Sequence, residues 1–422
     1  MFIPSAPYIK PLGSGFTLKS VGTLEDVDRV AAFNAAVFGS QEEALSRVLL
    51  MNHPHTRPEH WLYAEEDSSG RVAASLCLIP WRWNYAGVEL RSGELGICAT
   101  LEEFRNQGLI RALTVRHKEL LREGGFHLSH IQGIPYFYRQ FGYEYALPLE
   151  GGWEIELRQI ASDLPVNYTV RSAEIEDIPT LAKLYDDASR DYDISARRDA
   201  DVWRFILEPA PGMGTNVDIF LLLDAAEHPV GYWCIQHYGF GAGLNVGEVS
   251  RLDHAGASAL LPILRRQALE RDKPYIRLIT PDDGALVRTA AGIGARDTGR
   301  YQWQLHVPDS AHLLRAIAPA LERRLEGSMY DRLTGVFEIC LYRETLTLRF
   351  ESGRLANVES RPTPNNDGEI RIPPLLFPLL VFGWLTRAEL AARYPDFIVG
   401  ARHHALLDTL FPRMNACLYP NY

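Results

Sequence analysis

The side chains best able to do chemistry in this sequence lie in two short stretches. The first, FRNQGLIRAL at residues 104–113, changes character at Gly108. Arg105, Asn106 and Gln107 precede it, and Leu109, Ile110 and Leu113 follow at helical spacing. A glycine at a helix start lets a ligand approach the backbone, because no Cβ intervenes. The N–H groups of residues 106–111 then have no intrahelical partners, and the positive end of the helix dipole adds to them. Such a terminus suits an anion, a pyrophosphate above all, and Arg105 and Arg111 can supply charge-assisted bonds. The second stretch, YFYRQFGY at residues 136–143, is crowded with aromatic rings. Tyr138, with Tyr136 as its rival for any catalytic tyrosine role, otherwise reads as one more core aromatic. Cys98 in GICAT is a possible nucleophile, although a strand cysteine is more often inert packing. Glu102 and Glu103, beside the loop, are possible bases or simply a solvated pair.

Composition narrows the partners. The 422 residues carry a net charge of -10, which excludes a general nucleic-acid binder. Five scattered cysteines form no CxxC pair or Cys/His cluster, so neither a metal site nor a disulfide framework is expected, and a reducing cytoplasm is the default location. The start, MFIPSAPYIKPLGSGF, lacks the basic residues and apolar run of a secretory signal. The longest apolar run, residues 373–385, is too short for a membrane span and reads as a buried helix or core edge.

The elements that must position these groups come in two copies. FTLKS at residues 16–20 recurs as YTVRS at 168–172, each followed by acidic residues and an apolar-periodic helix. FGYEYA at 141 and IGARDT at 293 match at the same offset of 152 residues, which points to a duplicated domain. The first copy reads as a strand (16–20), helices (25–39, 42–52), and three strands in an antiparallel meander (60–66, 71–80, 90–99). A helix (108–123), a strand (127–131), a brief helix (136–141) and a last strand (143–149) follow. Strands at 217–224, 230–238, 246–252 and 275–280 repeat the order less clearly. From about residue 310 the pattern changes to an amphipathic helix (310–325), two strands, a Pro-rich segment and short helices near 386–393 and 402–411. Carried across without a gap, Arg105 falls on Ala257, Gly108 on Leu260 and Tyr138 on Ala290. The second copy is therefore expected to keep the scaffold and lose the chemistry.

The order of strand, Arg-x-x-Gly loop, helix, strand, short helix and strand resembles the GNAT superfamily of acetyl-CoA-dependent acetyltransferases. Arg105, Gly108 and Ile110 fall on its pyrophosphate loop, with Ile110 departing from the small residue usual there. Tyr138 to Tyr143 is similar to the Tyr-x-x-Phe-Gly-Tyr signature of the tandem-domain, enhanced-intracellular-survival-type N-acetyltransferases. That resemblance implies an α/β (α+β) chain: a catalytic GNAT domain at 1–157, a degenerate GNAT-like domain at 158–308 and a sterol-carrier-protein-like domain at 309–422. It implies acetyl-CoA as co-substrate and no metal, with Cys98, Ala99, Thr100, Gly133 and Ile134 along the acetyl and pantetheine arm. Residues 105–111 (Arg105, Asn106, Gln107, Gly108, Leu109, Ile110 and Arg111) would hold the pyrophosphate. It implies Tyr138 as general acid and the α-carboxylate of Tyr422 as base, and a homo-oligomer, trimer or hexamer. The acceptor would be a small-molecule or peptide amine, with Glu25, Asp26, Glu42 and Glu43 in the region that forms acceptor pockets, or equally on solvated helix faces. A different acyl-CoA or acceptor, and a non-catalytic CoA- or lipid-binding module, are the competing classes.

Overall fold

The computed structural model describes residues 3–208, 217–237, 241–281 and 283–419. It opens on a hairpin of β1 (Ile9–Gly13) and β2 (Phe16–Ser20) that the sequence did not announce. The turn residues Ser14 and Gly15 both have positive φ, the conformation that suits the twist of a two-residue hairpin. Helix α1 (Leu24–Phe38) starts on a capping box in which Thr23 and Asp26 satisfy each other's backbone N–H. After α2 (Gln41–Met51) come β3 (Trp61–Glu66), β4 (Val72–Tyr85) and β5 (Val88–Thr100). The last two exceed their expected lengths because Ala86 and Gly87, again at positive φ, let the hairpin run to its tip. Helix α3 (Leu109–Glu123), β6 (Leu128–Ile131), a short 3-10 turn at Phe137–Phe141 and β7 (Glu144–Glu156) finish the first copy.

The second copy repeats this order. It runs β8 (Thr169–Ser172), α4 (Ile178–Ser189), an extra strand β9 (Ile194–Arg197), α5 (Ala200–Leu207) and the meander β10 (Val217–Leu223), β11 (Pro229–Gln236) and β12 (Leu244–Val249). Then follow α6 (His254–Glu270), β13 (Tyr275–Leu278), α7 (Ala285–Gly292) and β14 (Arg296–His306). One sheet passes through both copies in the order β1-β2-β3-β4-β5-β6-β14-β7-β13-β12-β11-β10-β8. The copies therefore exchange last strands. β14 enters between β6 and β7, with Gln304 opposite both Ile131 and Tyr145. The end of β7 pairs instead with β13, from Trp153 opposite Leu278 to Glu156 opposite Tyr275.

The remaining residues form a separate layer. The expected helix 310–325 is two helices, α8 (Ser310–Ala316) and α9 (Ala318–Leu325), because Pro319 has no N–H for a continuous helix and starts a new one instead. A five-stranded sheet follows, made of β15 (Gly335–Cys340), β16 (Thr345–Glu351), β17 (Arg354–Arg361), β18 (Ile370–Arg371) and β19 (Ile398–Val399). The apolar run supplies α10 (Phe377–Val381), all five residues buried, and Tyr85 at the tip of β4 donates to Val381 O at 2.6 Å. Among the described residues no helix is long and apolar enough to cross a membrane. After α11 (Arg387–Arg393) and α12 (His404–Leu410), β20 (Ala416–Cys417) runs parallel to β9, which itself pairs with β4.

What positions the site is the parting of β5 from β6. They pair in parallel only from Ser92 opposite Leu128 to Glu94 opposite His130. β5 then continues to Thr100 bonded to β4 alone, so a wedge opens between the two strands. On one face of this sheet α3 buries Leu109, Leu113 and Leu121 against Leu76, Leu78 and Leu95. On the other, Trp81, Trp83 and Trp303 lie under α1 and the α10 layer.

Candidate active site

The wedge ends at the loop that the sequence singled out. Gly108 is the N-cap of α3 with φ +76°, a backbone conformation that favours glycine. No side chain caps the helix, and its first backbone bond runs from Ala112 N–H to Gly108 O. The N–H groups of Leu109, Ile110 and Arg111 thus emerge at an open end. A Cβ built on Gly108 meets nothing within 4 Å, so the space above the loop is free. Asn106 is also left-handed, at φ +64°, and Arg105, Asn106 and Gln107 are exposed. Arg105 lies 4.0 Å from Glu102, and Arg111 stands over the Phe141 ring and donates to Gln140 Oε1 at 3.1 Å. Leu109 is buried and Ile110 half-buried against the α3 core, so Ile110 anchors the helix rather than facing the loop.

Along the wedge, Ala99 and Thr100 pair with Ser75 and Ala74 of β4. Between Gly96 and Ala99 the register slips by one residue, a bulge that puts Ile97 at φ +39° and re-aims Cys98. The Tyr138 hydroxyl and the Cys98 sulfur are hydrogen-bond partners. Burial, reinforced by Cys98 and Tyr143, raises the Tyr138 pKa far above that of a free phenol, so the hydroxyl keeps its proton at neutral pH. Burial likewise pushes the Cys98 thiol up to about 11, which leaves little thiolate to act as a nucleophile. Gly133 completes the contact. A Cβ there would lie 2.7 Å from Tyr138 Cε2 and closer still to Cδ2, so only glycine lets the ring settle over this turn.

Cys98, Gly133 and Tyr138 therefore converge. Ile134 is 63% exposed and Tyr136 73% exposed, with Tyr136 left-handed at φ +68° and its ring outside against Arg139. That placement separates Tyr136 from the buried contact made by Tyr138. Glu103 is held by Arg71 at 2.8 Å, and both it and Glu102 sit at the surface. Asp26 is committed to the α1 cap and to the Tyr63 hydroxyl at 2.7 Å, and Glu43 to Arg47. Tyr422 lies outside the described residues.

Sequence reasoning missed two groups. The first comes from the second copy: on β14, the Tyr301 hydroxyl and Gln304 Nε2 (3.0 Å) both donate to the Gly133 carbonyl. The FGYEYA and IGARDT match marks β7 and β14 as equivalents, but nothing in it signals an exchange of partners. The second is a buried pair, Glu94 and His130, 3.9 Å apart beside Trp81, Trp83 and Trp303. Trp81 Nε1 donates to Glu94 at 3.0 Å, and burial pushes the Glu94 carboxyl up to about 8 and His130 down to about 3.

The second copy corrects one expectation. Ala257 and Leu260 are buried inside α6, not at its start. Four residues connect β12 to α6 where eight connect β5 to α3, so the ungapped offset fails between the two matched ends. The counterpart of Gly108 is Asp253, whose carboxylate caps its own helix at Gly256 N–H, 2.7 Å away. An anion would meet that carboxylate instead of free donors. Ala290 does lie in α7, buried, with no hydroxyl where Tyr138 has one. Among the described residues no cluster of three or more His, Cys, Asp or Glu is arranged to hold a metal ion.

Comparison with known proteins agrees with this geometry. No curated protein sequence gives a match. Across solved structures, the chain is similar to a probable N-acyltransferase from Enterococcus faecalis, with a TM-score of 0.71, 14% identity, and 96% of this chain and 99% of that one covered. It is similar to a GCN5-related N-acetyltransferase from Anabaena variabilis, with a TM-score of 0.69, 14% identity and coverage of 96% and 99%. Eis1 from Mycobacterium abscessus aligns with a TM-score of 0.62, 16% identity and coverage of 96% and 100%. Residues 21–146 match the family described as an acetyltransferase (GNAT) domain, and they carry the wedge, the loop and Tyr138. This stretch thus matches a GNAT acetyltransferase domain, in a chain whose overall fold is similar to those three structures.

Proposed function

We propose that this chain is an acetyl-CoA-dependent N-acetyltransferase that moves the acetyl group directly to a primary amine of a small molecule or peptide. The observation that carries this reading is the uncapped start of α3 at Gly108, placed at the mouth of the wedge whose far wall presents Tyr138. The CoA thioester supplies an acyl carbon open to attack and a sulfur that can leave. Residues 105–111 hold the pyrophosphate with backbone N–H groups and the Arg105 and Arg111 guanidinia. Cys98, Ala99, Thr100, Gly133 and Ile134 line the path of the arm.

The amine nitrogen must be neutral, and it bonds to the acyl carbon as the carbon–sulfur bond breaks. Tyr138 gives its hydroxyl proton to the departing sulfur and is reprotonated by way of the proton released from nitrogen. It already faces one sulfur, that of Cys98, and like any phenol it is protonated at neutral pH, as a general acid must be. The α-carboxylate of Tyr422 is the base that we favour. The last described residues, Leu418 and Tyr419, line a small cavity together with Pro148 and Arg300, and the Tyr419 hydroxyl donates to Val249 O at the end of β12. We also assign the layer from residue 309 to the sterol-carrier-protein-like class and expect a trimer or hexamer.

The test is a transfer screen with acetyl-CoA against polyamines, aminoglycosides, arylamines and peptide amines, read by coenzyme A release. Saturable release with at least one amine supports the reading. Failure of acetyl-CoA to raise the melting temperature of the protein would refute it, since a ligand of the native state must do so.

A further inference from the structure

The strand exchange brings second-copy residues against the turn that carries Tyr138. Gly133 and Tyr136 are the two ends of this turn; β14 holds the first and β7 the second. At one end Gly133 O accepts from Tyr301 Oη and from Gln304 Nε2, 171 residues away along the chain. At the other, Tyr136 N–H donates to Tyr145 Oη at 3.0 Å, and Tyr145 Oη lies 3.4 Å from Tyr301 Oη. Tyr136 keeps a left-handed backbone that a bulky residue adopts only when its surroundings hold it there. Gln304 is fully buried, and the phenol rings of Tyr145 and Tyr301 pack edge to face. The ring of Tyr138, two residues beyond the turn, rests on Gly133 where a Cβ would otherwise stand.

We infer that Tyr301 and Gln304 are positioning residues for Tyr138, so that the copy lacking its own phosphate loop completes the site of the other. This rests on the reading of Tyr138 as the acid. Loss of either donor leaves the Gly133 carbonyl underbonded and the turn free to shift, which moves the Tyr138 hydroxyl away from the sulfur it must reach. Neither residue touches the loop at Gly108, so capture of the CoA phosphates is left unchanged.

The experiment uses the full chain with Tyr301→Phe, which keeps the ring, and Gln304→Leu, which keeps the bulk. With acetyl-CoA and the best amine of the screen, kcat should fall about 10- to 100-fold, the usual effect of an ångström-scale misplacement, while the acetyl-CoA KM stays near wild type. Placed in a Tyr138→Phe background, neither change should lower kcat further, because the group they position is already gone. A readout without turnover is iodoacetamide labelling of Cys98, the half-buried one of the five free cysteines, whose rate should change several-fold once Tyr138 draws back and the thiol loses that partner. Wild-type kcat and unchanged Cys98 labelling in both variants, beside an inactive Tyr138→Phe, would overturn the inference alone. Losses that add fully to that of Tyr138→Phe would overturn it as well. A fully active Tyr138→Phe would instead remove the acid assignment and this inference with it.

Discussion

Glu94 gives a prediction whose size follows from its surroundings. The carboxyl is 6% exposed, accepts from Trp81 Nε1 and has only a histidine 3.9 Å away. Burial raises its pKa from the ordinary 4.5 to about 8. The folded state therefore holds a proton that the unfolded chain releases above pH 4.5. Its contribution to stability is complete below the unfolded pKa and is lost as pH rises through the folded one. At ~1.4 kcal/mol per pH unit, the loss between pH 4.5 and 8 is at most about 5 kcal/mol. His130, lowered to about 3, acts in the opposite sense: it is neutral in the fold, and its term is lost as pH falls from 6.5 towards 3. Glu94→Gln keeps an acceptor for Trp81, removes the titration of Glu94 and leaves that of His130 in place. Melting curves of the two proteins should separate steadily from pH 5 to pH 8 in favour of the variant and run parallel above. Parallel curves throughout would show that Glu94 is ionised in the fold, and the reasoning from burial would be wrong.

Four further outcomes are expected. Gly108→Asp places a carboxylate in the open space above the loop, so the protein should fold while its acetyl-CoA affinity drops at least about tenfold, the effect of roughly 1.4 kcal/mol; calorimetry giving normal binding would refute the phosphate site. Tyr138→Phe should retain acetyl-CoA binding and lose about 10²–10⁴ in kcat, checked by steady-state kinetics. Calorimetry should count one CoA site per chain, and Asp253→Gly should not add a second, because the shortened connection before α6 would still lack a phosphate loop. Adding a few residues after Tyr422 should be far more damaging to kcat than Tyr422→Phe if the base is the α-carboxylate; an extended chain with full activity would return attention to other bases or to water.

The parts of the site legible in the sequence were those written locally. A glycine followed by apolar residues at helical spacing specifies an open helix start by itself, and the structure has one at Gly108. The pairing of Cys98, Gly133 and Tyr138 was legible only through resemblance, since no periodicity brings residues 98 and 138 together. Long-range pairing was not legible. The strands β9 and β20 are short and gain their partners from β4 and from each other, far away in the chain. Gln304 sits in a strand whose pattern is the same whichever copy receives it. Pro319 signals the break at Ile317, but the apolar spacing continues across it and masks the signal. The second copy was misaligned internally because its two ends keep one offset while the connection before α6 loses four residues.

The exchanged strand also sets a schedule for synthesis. β6 and β7 are complete by residue 156, but β14 is made about 150 residues later. At ~5–20 residues per second, the growing chain waits roughly 8–30 s with the facing edges of β6 and β7 unpaired. Such edges invite pairing with other chains, so this interval is when the nascent protein is most open to misassembly. Until residue 306 emerges, the turn at Gly133 lacks both of its anchors from β14, although the helix start at Gly108 can already form. Any product of premature termination before that point keeps the open helix start at Gly108 and lacks the strand that bonds the Gly133 turn. The enzyme is therefore assembled late, in one step, when the last strand of the second copy closes the sheet of the first.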